Sequence, residues 1–145
     1  MRLLLVVNSF ASSVTARNTV VVHQVLSQEH DVQIVETSRR GHATRFAQDA
    51  ASRGVDVVAA FGGDGTVNEV AAGIADTHTA LAVLPGGSTN VFARSIGLPN
   101  DPVAAAKELV PALKERHFRR VGLGMEPRKS IATSGAHGRR LRDLE

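Results

Sequence analysis

The junction at residues 55–69 constrains this chain more than any other feature. An apolar run, Val55–Phe61, passes directly into Gly62-Gly63-Asp64-Gly65-Thr66, and a helical pattern starts at once. A glycine-rich turn between a strand and a helix lets the backbone approach a ligand closely and take positive φ where required. The helix start turns unpaired N–H groups and the positive end of its dipole to the same point, which favours an anion. Thr66-Val67-Asn68-Glu69 has the spacing of a capping box and predicts a helix opening at Thr66. A tight turn ending in an ordinary N-cap would account for a glycine pair alone. Three glycines and one acid within five residues, at a strand-to-helix switch, favour a phosphate cradle. The loop is not a Walker A sequence, because no Gly-Lys-Ser/Thr follows. Nor is it the Gly-x-Gly-x-x-Gly fingerprint, since Asn68 takes the third glycine's place. The phosphate is therefore expected on backbone amides and hydroxyls, with no dedicated lysine. Asp64, at the centre, could hold magnesium through water or orient a hydroxyl nucleophile.

Around this junction short apolar runs alternate with amphipathic stretches. Leu3–Val7, Val32–Val35, Val55–Phe61 and Ala80–Leu84 read as buried strands of a parallel sheet covered on both faces. Helices are expected at about Ala16–Ser27, His42–Ser52 and Val67–Ile74, which gives a layered α/β fold. Parallel strands end on one edge of the sheet, so the residues after each should meet in one crevice. Those residues are Asn8 with Ser9, Ser12 and Ser13, then Thr37, then the glycine loop, then Pro85-Gly86-Gly87-Ser88-Thr89-Asn90. Ser88 or Thr89 can donate to a phosphate, and either could equally cap the short helix expected near Val91–Arg94. Asp101-Pro102 marks another helix, expected to run to about Lys114 with Pro111 as a break or kink. His117–Leu123 reads as one more strand. Beyond Gly124 neither periodicity is present, and residues 125–145 are expected to be a basic, disordered tail.

Charge is distributed in keeping with that division. Residues 1–113 carry 8 Lys/Arg against 10 Asp/Glu, whereas residues 114–145 carry 9 against 4. A basic tail can dock on acidic lipid or nucleic acid. With no aromatics interleaved after Phe118, a solvated end is the preferred reading and no nucleic-acid partner is expected. Cysteine is absent, which excludes disulfide and thiolate chemistry and fits a cytoplasmic protein. The first seven residues are too short an apolar run for a signal peptide and lack a cleavage site.

Taken in order, Asn8-Ser9-Phe10-Ala11-Ser12-Ser13, Thr37 with Gly41-His42-Ala43, the block Phe61–Val70 and the block Pro85–Arg94 resemble the diacylglycerol kinase catalytic domain. That family includes bacterial lipid kinases and sphingosine kinases. The similarity spans about residues 2–124, with Ser9 where the family usually has proline. It implies an α/β lobe like that of NAD kinase and phosphofructokinase. It also implies ATP bound along Asn8, Ser12, Thr37, Gly62, Gly63, Asp64, Gly65, Thr66, Val67, Asn68 and Ser88, with magnesium on the phosphates and Asp64 as the catalytic residue. The acceptor would be a lipid alcohol such as diacylglycerol, reached at the inner membrane surface. Related proteins continue into a second, mostly β domain, which is expected to be missing here. Arg119–Gly124 resembles that domain's first strand, with Gly122 where aspartate is common, and a frameshift or cut near residue 125 would explain the mismatch after it.

Two other readings compete with the lipid kinase. One is an NAD-kinase-like kinase of a soluble alcohol, against which the Pro85–Arg94 block weighs. The other is a nucleotide-binding remnant without catalysis. Among single residues, Glu69 is read as a capping-box partner before a catalytic base, and Asn68 as facing the nucleotide or simply covering the helix end. The six histidines show no ligand-like pairing, so zinc is not expected, and His42 is assigned a capping or substrate-edge role. Arg94 is read as solvated, although it could reach the phosphates.

Overall fold

The computed structural model describes residues 1–122 and 128–132. Strand β1 (Arg2–Val7), helix α1 (Ala16–Ser27), strand β2 (Asp31–Glu36) and helix α2 (His42–Ser52) come first. Strand β3 (Val57–Gly62), helix α3 (Asp64–Ile74), strand β4 (Ala80–Pro85) and the short helix α4 (Val91–Ser95) follow. Helix α5 (Pro102–Lys114) and strands β5 (Phe118–Gly122) and β6 (Arg128–Ala132) complete the described chain.

All strands join one sheet in the order β2-β1-β3-β4-β6-β5. The first four run parallel, with Leu5 opposite Ile34 on one side and Ala59 on the other, and Gly62 opposite Pro85. The chain crosses from β2 over β1 to reach β3, so the strand order reverses between β1 and β3. Crevices outside the carboxyl ends of strands at such a reversal are where ligands settle in open α/β sheets. Asn8 leaves β1 and Gly62 ends β3 at that point.

Every residue of β3 and β4 is buried, as the unbroken apolar runs require of strands covered on both faces. The covering helices pack as pairs, α2 against α3 and α1 against α5. Gly73 allows the first pairing to be close: a Cβ there would lie 2.5 Å from the Thr44 carbonyl oxygen and 2.7 Å from the Ala47 Cβ. At α5 the Asp101 carboxylate accepts the Ala104 N–H at 2.8 Å, with Pro102 in the first turn, as that sequence predicts.

Three expectations need correction. β2 is not buried: it lies at the sheet's edge, Ile34 is 39% exposed, and Val32 and Val35, on opposite faces of the strand, are only half-buried. Pro111 does not break α5, which continues to Lys114. Residues 128–132 lack strand periodicity in sequence yet form β6, which pairs parallel to β4 at Leu81–Ile131 and antiparallel to β5. The remainder of the expected disordered tail, residues 125–127 and 133–145, lies outside the described residues.

Candidate active site

Two glycine loops meet at the carboxyl ends of β3 and β4, and their backbones touch. The Gly86 N–H donates to the Gly62 carbonyl at 2.8 Å, and Ser13 N–H donates to the Gly86 carbonyl at 2.7 Å. A Cβ on Gly86 would sit 2.9 Å from the Gly62 Cα and 2.5 Å from a Val14 methyl; one on Gly87 would sit 2.8 Å from the Gly63 Cα. Gly62 has no room either, since its Cβ would come within 2.6 Å of the Thr66 hydroxyl. Glycine is needed at these positions for space, because none of the three takes positive φ.

Helix α3 begins at Asp64, one turn-fraction earlier than the capping-box spacing indicates, with Gly63 as N-cap and no side-chain cap. The box itself is absent. Glu69 Oε1 instead accepts the Gly41 N–H at 2.6 Å, 28 positions away, and Thr66 Oγ1 accepts from Asn8 Nδ2 at 3.3 Å. Consequently, among the described residues, the N–H groups of Asp64, Gly65 and Thr66 meet no acceptor. Unpaired amides at a helix start carry the dipole's positive end, which suits a polyphosphate.

Asp64 takes a position that its sequence does not indicate. Its carboxylate accepts the backbone N–H of Val91 at 3.0 Å and of Phe92 at 2.9 Å, so it caps α4 from another helix. Asn90, 5% exposed and left-handed at φ 49°, secures the loop below. Its Oδ1 accepts from Gly87 N–H, and its Nδ2 donates to the Gly87 carbonyl and to Asn100 Oδ1, each at 2.8 Å. Neither Ser88 nor Thr89 is the cap of α4.

Two cavities open here. The larger, about 430 Å³, is lined by Asn8, Ser12, Gly63, Asp64, Gly65, Thr66 and Ser88 among others. The smaller, about 260 Å³, is lined by Asn8, Phe10, Thr37, Arg39, Arg40 and Glu69 among others. Asn8 and Thr66 border both, so their hydrogen bond stands between the two. Thus eight of the expected site positions, Asn8, Ser12, Thr37, Gly63, Asp64, Gly65, Thr66 and Ser88, come together. Gly62, Val67 and Asn68 do not line either cavity. Gly62 lies beneath as backbone; Val67 is 3% exposed in the core with its N–H on the Gly63 carbonyl; Asn68 is exposed. His42 does not cap α2, whose N-cap is Gly41 without a side-chain bond; its Nδ1 accepts Ser38 N–H at 3.2 Å in the preceding loop, and the ring meets Phe46 edge-on. Sequence reasoning passed over Phe10, 81% exposed at the mouth, and the Arg39–Arg40 pair. A large apolar side chain inside an otherwise small and polar loop was the available signal for Phe10.

No three His, Cys, Asp or Glu side chains cluster as a metal site among the described residues. Among the described residues Asp64 is the one carboxylate lining the larger cavity, a donor set that fits magnesium held mainly by phosphate and water.

A family model for the diacylglycerol kinase catalytic domain matches residues 2–125. The chain belongs to that family. Diacylglycerol kinase family members with similar sequences include "Diacylglycerol kinase" of Bacillus subtilis (strain 168), 45% identical over 76 residues, covering 51% of this chain and 25% of the relative. "Probable lipid kinase YegS-like" of Chromohalobacter salexigens is 37% identical over 107 residues, covering 71% of this chain and 33% of the relative. A crystal structure of a diacylglycerol kinase from Bacillus anthracis str. Sterne superposes with a TM-score of 0.72 at 34% identity, covering 83% of this chain and 42% of that one. This family member therefore has the α/β fold of the amino-terminal part of diacylglycerol kinase structures. It spans a quarter to a third of the length of these curated relatives.

Proposed function

We propose that this diacylglycerol kinase lobe binds ATP across both cavities and presents the terminal phosphoryl group to a lipid hydroxyl. The observation that carries the reading is the set of unpaired N–H groups on Asp64, Gly65 and Thr66, opening on a cavity floored by touching glycines. The triphosphate would lie in the larger cavity, against these amides and the Ser12 and Ser88 hydroxyls. The nucleoside would pass over Asn8 and Thr66 towards Thr37 in the smaller one. Val67 and Asn68 contribute no lining, so their part is to build the first turn of α3.

Magnesium, when bound, supplies positive charge to the phosphates and neutralises what develops in transfer. Asp64 would hold it through water, using carboxylate lone pairs left over from capping α4. The chain's own contribution is then positioning and fixed dipoles, which is most of what phosphoryl transfer asks of a protein. No helix among the described residues is long and apolar enough to cross a membrane. A lobe working from the cytoplasm at the inner membrane surface would reach a lipid alcohol from outside the bilayer. In our reading the lobe comprises residues 1–122 together with β6, because β6 pairs with both β4 and β5.

The test is calorimetric titration of magnesium and ATP onto the chain, with label from ATP followed into diacylglycerol micelles and, separately, into NAD. Binding with labelled lipid is the expected result. Labelled NAD would move the assignment to a soluble alcohol, and binding with no labelled acceptor would leave a nucleotide-binding lobe alone. A chain that binds no ATP would overturn the reading.

A further inference from the structure

The outer wall of the smaller cavity is the loop 37–41, which has no regular structure to hold it in place. Thr37 N–H donates to the Val7 carbonyl at 2.9 Å, and Ser38 is tied to His42, the first residue of the following helix. The far end is fixed differently. Gly41 takes φ +91°, a left-handed conformation that glycine adopts readily, and its N–H points to Glu69 Oε1 at 2.6 Å on α3. A short bond from an amide to a carboxylate is among the stronger neutral-to-charged contacts in a protein.

The two ends of that bond sit on a rigid frame. Thr44 Oγ1 donates to the Glu69 carbonyl at 2.9 Å, and one turn further along α3 the missing side chain of Gly73 lets α2 press against it. The start of α2 therefore has a fixed place over α3, and the Glu69 side chain carries that placement out to the loop. Glu69 lines the smaller cavity and not the larger one.

We propose that Glu69 is a positioning residue for the nucleoside half of the ligand. By holding Gly41 it sets the wall from Thr37 to Arg40, and so the affinity for base and ribose, while the polyphosphate cradle is left untouched. This inference rests on the ATP reading above, and its test separates the two.

Calorimetry on the whole chain compares ATP with inorganic tripolyphosphate, which fills only the phosphate half. Wild type should bind both. Glu69→Ala, and Glu69→Asp whose shorter carboxylate withdraws from Gly41, should weaken ATP by about tenfold, the loss of one hydrogen bond to a charged group. Tripolyphosphate binding should stay within about twofold, the scatter expected of a site with no shared contact. Glu69→Gln keeps an acceptor for Gly41 and should retain ATP affinity, and melting temperatures confirm that each variant folds. Equal weakening of both ligands, unchanged ATP affinity in Glu69→Ala and Glu69→Asp, or a Glu69→Gln as impaired as Glu69→Ala would each overturn the inference. Should Glu69→Ala fail to fold, Glu69→Asp and Glu69→Gln decide it. If wild type binds tripolyphosphate but not ATP, the nucleoside assignment falls; if it binds neither, the proposed function falls first and the inference with it.

Discussion

The Asp64 carboxylate accepts the Phe92 backbone N–H at 2.9 Å, so an acid in the first turn of α3 closes the open end of α4. The second oxygen accepts from Val91, and both glycine loops are thereby drawn together by one side chain. Asp64 also stands where a negative charge favours the dipole of its own helix.

Substitution at Asp64 should separate its capping of α4 from the catalytic role proposed for it. Asp64→Ala leaves two amides without a partner and should cost about 1–3 kcal/mol, seen as a lower melting temperature. Asp64→Asn keeps an acceptor and should melt closer to wild type, yet abolish transfer in an active relative. Normal turnover by Asp64→Asn would remove this residue from the chemistry.

Gly87→Ala should spread the two loops. Its Cβ would lie 2.8 Å from the Gly63 Cα and 3.2 Å from the Asn90 side chain. Relieving such overlap typically costs about 1–3 kcal/mol. ATP and tripolyphosphate should lose affinity together, in contrast to the Glu69 variants, and titration of both ligands checks it.

Asn90→Ala removes three hydrogen bonds from a buried position and leaves a left-handed residue without side-chain support. A loss of roughly 2–4 kcal/mol is expected. Denaturant unfolding would measure it; a change below half a kcal/mol, ~0.5 kcal/mol, would mean the loop is held by other means.

Gly73→Ala drives a methyl towards the Thr44 carbonyl oxygen and should force α2 from α3 at about 1–3 kcal/mol. Because the Gly41 bond depends on that spacing, ATP affinity should fall along with the melting temperature.

The regular part of this fold could be read from the chain, since its signals are local. Ala16–Ser27 and His42–Ser52 are helices over the residues that their periodicity marks, and Ala80–Leu84 is a strand with only Pro85 added. The failures share a cause in partners distant in sequence. Glu69 has capping-box spacing, but its carboxylate found Gly41 instead. Val32–Val35 is as apolar as a buried strand, and only the order of the sheet places it at the edge. Arg128–Ala132 opens on two adjacent charges and lacks strand periodicity; its pairing with β5 and β4 makes it a strand. In the site, the strand-end polar residues were visible because parallel strands must finish on one edge. The capping of α4 by Asp64 was not, because nothing near Val91 in sequence signals an acid 27 positions earlier.

The Asn8–Thr66 bond between the two cavities has a consequence for ligands supplied in pieces. On the proposed placement of ATP, adenosine and tripolyphosphate would not contend for the same space, so both could occupy one molecule at once. Each alone would bind more weakly than ATP, whose covalent link makes the second contact an intramolecular one. A divider of that kind would act as a measure of length, rewarding a molecule long enough to straddle it.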